Sequence, residues 1–142
     1  MVFKRKIYNE MLRWKESKDG STALLINGAR RVGKSTIAEE FARKEYESYI
    51  LVDFADAPSA LKEAIDHISD RDDFFFRLQF IYGVKLHERK SVIIFDEIQK
   101  RPLARQAIKH LVKDGRYHYI ETGSLISIRK NVKDIVIPSE EH

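Results

Sequence analysis

Apolar residues change their spacing from one stretch of the chain to the next, and the alternation predicts the elements. Within residues 4–17, Ile7, Tyr8, Met11, Leu12 and Trp14 recur at helical spacing until Lys18-Asp19-Gly20 interrupts them. Ala23-Leu24-Leu25-Ile26-Asn27 is instead a short continuous apolar run ending at a glycine, as expected of a strand covered on both faces. From Lys34 to about Lys44, the residues Ile37, Ala38, Phe41 and Ala42 share one helical face with charges opposite. Residues 49–54 read as a second strand. Residues 58 to about 86 read as two helices broken near Ser69-Asp70-Arg71, with Pro58 suited to a first helical turn. Val92-Ile93-Ile94-Phe95 is a third strand, residues 102–113 a helix stopped by Asp114-Gly115, and residues 117–122 a fourth strand.

Strands alternating with helices, two of the strands wholly apolar, predict an α/β fold: a mostly parallel sheet with helices on both faces. Without an internal repeat or a Pro/Gly/Ser linker, residues 1–142 read as one folding unit. Residues 74–82, Phe-Phe-Phe-Arg-Leu-Gln-Phe-Ile-Tyr, are apolar nearly all round a helix. They predict either a helix well buried against the sheet or one that partly meets another subunit or domain.

Composition narrows this picture without redirecting it. A chain of 142 residues, 43% hydrophobic and 34% charged, suits one soluble domain and is too apolar for disorder. The absence of cysteine excludes a disulfide scaffold and a zinc-thiolate site. Apolar runs are far shorter than the ~20 residues of a membrane span, and no apolar segment follows the basic Phe3-Lys4-Arg5-Lys6 start, so the expected location is cytoplasmic. The net charge of +4 fits an anionic ligand as well as plain solubility.

The chemistry is concentrated in two motifs. Gly28-Ala29-Arg30-Arg31-Val32-Gly33-Lys34-Ser35 matches the phosphate-loop pattern G-x-x-x-x-G-K-[ST], directly after a strand and opening a helix. Glycines let the backbone approach phosphate, successive N–H groups form an anion nest, and the helix N-terminus adds its positive dipole end. Lys34 can then reach the β and γ phosphates, and the Ser35 hydroxyl can ligate Mg²⁺; Thr36 completes the expected nucleotide-binding stretch. Val92-Ile93-Ile94-Phe95-Asp96-Glu97 is a buried strand ending in two acids. Asp96 there can hold Mg²⁺ directly or through water, and Glu97 can orient or deprotonate a water that attacks the γ-phosphate.

Together with Asp96-Glu97-Ile98-Gln99 and with Thr122-Gly123-Ser124 after the fourth strand, these motifs resemble the AAA-type P-loop ATPases. The likeness is greatest to a prokaryotic group whose ATPase domain precedes a C-terminal domain of unknown function, and the N-terminal Phe3-Lys4-Arg5-Lys6-Ile7-Tyr8 helix fits that group too. The resemblance implies a P-loop NTPase sheet of order 5-1-4-3-2, with ATP and Mg²⁺ as cofactors and hydrolysis of the β-γ bond as the reaction. It implies Lys34 as the Walker A lysine, Ser35 and Asp96 as magnesium residues, Glu97 as the catalytic glutamate and Thr122 as a sensor of the γ-phosphate or the attacking water. Thr122 or Ser124 has an ordinary alternative in capping a following helix. Arg30 and Arg31 either touch phosphate or a neighbouring subunit, or are solvated at the surface.

In relatives the fifth strand lies beyond residues 138–141, so it is expected to be missing here, with Ile135-Val136-Ile137 the only candidate for a short replacement. The lid, the later arginines and the C-terminal domain are likewise expected to be absent, which makes the expected activity of this short chain weak. A homo-oligomer or a protein partner is compatible with the resemblance. Two other readings share the phosphate loop: a small-molecule or nucleotide kinase, which the Asp-Glu pair disfavours, and a nucleotide-gated binding module without hydrolysis. Lys130-Asn131-Val132-Lys133-Asp134 lacks the order of a guanine motif. Lys100, Arg101, Arg105, Lys109 and Lys113 form either a solvated helix face or a weakly supported nucleic-acid contact.

Overall fold

The computed structural model describes residues 2–28, 33–123 and 135–138. The elements run α1 (Val2–Lys18), β1 (Leu24–Asn27), α2 (Lys34–Glu45), β2 (Ser48–Asp53), α3 (Ser59–Asp66), α4 (Arg71–Tyr82) and β3 (Ser91–Asp96). A single 3-10 turn (Ile98–Lys100), α5 (Pro102–Asp114), β4 (His118–Gly123) and β5 (Ile135–Pro138) complete them. All four predicted strands and all five predicted helices are present, with ends within about two residues of the expected ones except that α4 stops at Tyr82, about four residues early, where Gly83 takes the left-handed conformation that ends a helix.

Local chemistry accounts for the breaks. Asp70 caps α4, its side chain accepting the Asp73 N–H at 3.1 Å, so the chain that left α3 at Asp66 restarts there. Pro58 stands just before α3 rather than in its first turn, with the extended ψ of 151° that a helix cannot take. Pro102 opens α5 and Gly115 closes it at φ 82°, the left-handed geometry in which its N–H reaches back to the Leu111 carbonyl.

The five strands form one parallel sheet in the order β2-β3-β4-β1-β5. This is the expected order read from the other edge, and it corrects the expectation that the fifth strand is missing. Residues 135–138 pair with β1 in the register Leu24↔Ile135 to Asn27↔Pro138, so β1 is not the edge of the sheet. The proline stands at the end of an edge strand, where its lack of an N–H costs least.

Side chains alternate across the sheet into two cores. On one face Leu24, Ile26, Val92, Ile94 and Ile120 meet Ile7, Met11 and Trp14 of α1 and Ala38, Phe41 and Ala42 of α2. On the other, Leu25, Ile50, Val52, Ile93, Phe95 and Tyr119 meet α3, α4 and α5. Each fully buried large apolar side chain contributes about 1.5–3 kcal/mol, which explains the unbroken apolar runs: both sides of β1 and β3 are inside. No described helix is long and apolar enough to cross a membrane.

The apolar segment of α4 is buried on one side only. Phe74, Phe75 and Leu78 are buried, whereas Phe76 and Phe80, one turn apart, are 68% and 82% exposed beside a groove lined by Ala60, Ile81 and Arg77.

Candidate functional site

Parallel strands bring their carboxyl ends to one edge, and in this sheet β1, β4 and β3 end side by side there. Gly28, just past β1, donates its N–H to the carbonyl of Gly123 at the end of β4, 3.1 Å away, tying the start of the expected phosphate-binding stretch to the fourth strand. Gly33 re-enters at φ 73°, a left-handed conformation that strains any residue with a Cβ, and its carbonyl accepts the Ile37 N–H in the first turn of α2. No side chain among the described residues caps this helix start by a hydrogen bond, and no acid stands in its first turn. Ala29, Arg30, Arg31 and Val32 lie outside the described residues, as do Ser124 and the 130–134 segment. Ser35 and Thr36 follow in the first turn, half-buried and exposed.

Lys34 is only 2% exposed, an unusual place for an ammonium group. Its Nζ lies 2.8 Å from Glu97 Oε2, forming a buried ion pair. The other carboxylate oxygen, Oε1, accepts the amide of Gln99 at 2.7 Å. Glu97 itself stands at φ 57°, ψ 50°, a left-handed conformation that costs a non-glycine residue about 1–2 kcal/mol. That bend turns the chain out of β3 into the 3-10 turn.

Thr122, fully buried near the end of β4, joins the two acids. Its hydroxyl donates to Asp96 Oδ1 and accepts the Glu97 N–H at 3.0 Å. Its hydroxyl is thus engaged by Asp96 and Glu97. Two residues outside the expected set also belong to this cluster. Asp53 ends β2 opposite Asp96 in register, and Gln99 holds Glu97. Gln99 is part of the Asp-Glu-Ile-Gln run, the one sequence signal that could have marked it.

Burial pushes the Asp96 carboxyl above its usual range; the Thr122 hydrogen bond and Lys34 oppose the rise, and Asp53 and Glu97 add to it. The folded chain then keeps a proton that the unfolded chain has released. In the window between the usual value and the raised one, the native state binds more protons, so the stability owed to this group falls as pH rises. Asp96→Asn keeps an oxygen for the Thr122 hydroxyl and removes the titration. Its melting temperature relative to the unaltered chain is expected to climb as pH is raised from about 4 to about 7. Thermal melts across that range check this; a difference that does not change with pH would contradict a raised Asp96.

The basic residues after β3 do not form one free stripe. Arg105 reaches 3.2 Å from the fully buried Glu121, and Arg101 lies over the Phe54 ring, 6.0 Å from its centre, while Lys100, Lys109 and Lys113 are exposed.

A loop tied to the tip of β4, a buried lysine opening α2 and an acid pair ending β3 form one cluster, and a family model for the AAA domain matches residues 20–135. The chain belongs to the AAA domain family. No curated protein matches it. Among solved structures this AAA domain is similar to C. elegans PCH-2, at 13% identity and a TM-score of 0.52 over 99% of its own length. It spans 39% of PCH-2, and the likeness is one of fold. The architecture is that of an AAA-type ATPase.

Proposed function

We propose that this AAA domain binds ATP with Mg²⁺ at residues 28–36 and hydrolyses the β-γ phosphate bond. The observation that carries the proposal is the buried Lys34–Glu97 pair, 2.8 Å long. It sets a cation suited to phosphate against a carboxylate suited to water activation, at the sheet edge where such ligands bind.

In this reading the N–H groups of the loop and the start of α2 hold the phosphates, and Lys34 exchanges Glu97 for phosphate oxygens. The Ser35 hydroxyl and the Asp96 carboxylate are hard oxygen donors of the kind Mg²⁺ takes, so the residues fit that ion. When bound, it would neutralise charge on the β and γ phosphates. Thr122 keeps the two acids in register, and Glu97, released by Lys34, accepts a proton from water. The proposed location is the cytoplasm, where MgATP is available.

Titration of the intact chain with a fluorescent ATP analogue tests the reading. Saturable binding that unlabelled ATP displaces and that chelation of Mg²⁺ weakens is expected, with free phosphate released in the absence of any acceptor molecule. Absence of saturable binding would refute the reading; phosphate appearing only on an added acceptor would replace hydrolysis with a kinase reaction.

A further inference from the structure

The two oxygens of Glu97 are held by donors of different kinds. Lys34, on Oε2, opens α2 beside the phosphate loop and must leave when an anion draws its ammonium away. Gln99, on Oε1, sits two residues beyond Glu97 in the same 3-10 turn. That turn is fixed without any ligand. Lys100 and Arg101 donate their N–H groups to the carbonyls of Glu97 and Ile98, both at 3.0 Å, Ile98 is fully buried, and the Glu97 N–H is anchored on Thr122. Gln99 therefore travels with Glu97, whereas Lys34 belongs to the opposite wall of the site.

The amide also has one productive orientation. Its oxygen is buried with no hydrogen-bond partner among the described residues, and turning the amide over would set that oxygen against the Glu97 carboxylate. A glutamine, moreover, orients a carboxylate without neutralising it, whereas a lysine or arginine there would add a second cation and lower its basicity.

We infer that Gln99 is the positioning residue for Glu97: once Lys34 turns to phosphate, the Gln99 amide keeps Oε1 in place and leaves Oε2, the oxygen that Lys34 vacates, to face the attacking water. This rests on the ATPase reading above and adds to it the residue that aims the base. Gln99 touches neither phosphate nor metal in this scheme, so its loss should separate turnover from binding.

The test uses the intact chain with Gln99→Leu, which removes the donor at similar volume, and Gln99→Glu, which keeps the reach but sets one carboxylate against another. Thermal melts identify whichever variant is folded. Affinity for the fluorescent ATP analogue is expected to stay within about twofold of the unaltered chain, while the single-turnover rate of phosphate release falls about 10- to 100-fold, the scale of a group misplaced by about 1 Å. Unchanged turnover in a folded Gln99→Leu chain that binds the analogue normally would overturn the inference and leave the ATPase reading intact. Failure of the unaltered chain to bind would remove the reading itself.

A second readout does not depend on turnover. The side-chain amide resonance of Gln99, assigned by its disappearance in Gln99→Leu, should keep its hydrogen-bonded shift and slow exchange with water when a non-hydrolysable ATP analogue saturates the chain. Its move to the position of a free amide in that complex would overturn the inference.

Discussion

Lys34→Met is expected to melt on the order of 10 °C below the unaltered chain in the absence of nucleotide, and to bind the ATP analogue about 10- to 100-fold more weakly. The stability loss follows from burial. Lys34 and Glu97 are 2% and 7% exposed and lie 2.8 Å apart, so removing the ammonium leaves a desolvated carboxylate without its countercharge. Breaking one side of such a pair costs about 3–5 kcal/mol, whereas replacing both sides by apolar groups of similar volume is often nearly neutral. The double variant Lys34→Met/Glu97→Leu should therefore recover most of the loss. Urea or thermal melts of both singles and the double measure this coupling directly. Additive losses would mean that the two charges do not depend on each other.

The binding loss has a separate origin, the missing charge-assisted hydrogen bonds to phosphate, worth about 1.5–3 kcal/mol. It should persist in the double variant, in which stability is restored. That dissociation of stability from affinity distinguishes a phosphate-binding lysine from one that only holds the fold together.

The same pair shows what the amino-acid sequence made legible and what it did not. Glycine spacing, the following lysine and the flanking strand and helix placed Lys34, because a phosphate loop is a local device whose parts are adjacent in the chain. Asp96 and Glu97 were legible as the end of an apolar strand. Their pairing was not. Contact between residues 34 and 97 depends on β4 lying between β1 and β3, and on the left-handed bend at Glu97 that directs its carboxylate back toward α2. Gln99 was hidden for a related reason: its reach to Glu97 needs a 3-10 turn, which three residues of no marked periodicity do not announce.

The elements follow the same division. β1 and β3 were readable because both faces are buried, so their apolar runs carry no ambiguity. β5 is as short as β1, and a proline stands at its end; its three apolar residues marked it only as a candidate, and what makes it a strand is its register on Leu24 to Asn27, a long-range fact. In α4, residues apolar nearly all round provide no stripe to say which face turns inward. Packing against the sheet buries Phe74, Phe75 and Leu78, and leaves Phe76 and Phe80 outside.

Glu97→Gln should lower phosphate release by about 10²- to 10⁴-fold, the range that a positioned general base contributes, with no loss of affinity for the ATP analogue. The substitution is nearly isosteric and keeps a side-chain oxygen that can accept the Gln99 amide, so the aim of the side chain is preserved while its basicity is lost. It also weakens the hold on Lys34. In the unaltered chain an incoming phosphate must draw Lys34 from a full carboxylate charge 2.8 Å away; in the variant it displaces only a neutral amide. Affinity should therefore stay equal or rise, the opposite of the effect of Lys34→Met, although the two substitutions disrupt the same contact. Single-turnover phosphate release measured beside analogue titration separates these outcomes. Equal turnover in the variant would remove Glu97 from the base role. A fall in affinity matching the fall in turnover would make Glu97 a ligand of the nucleotide complex rather than the group that activates water.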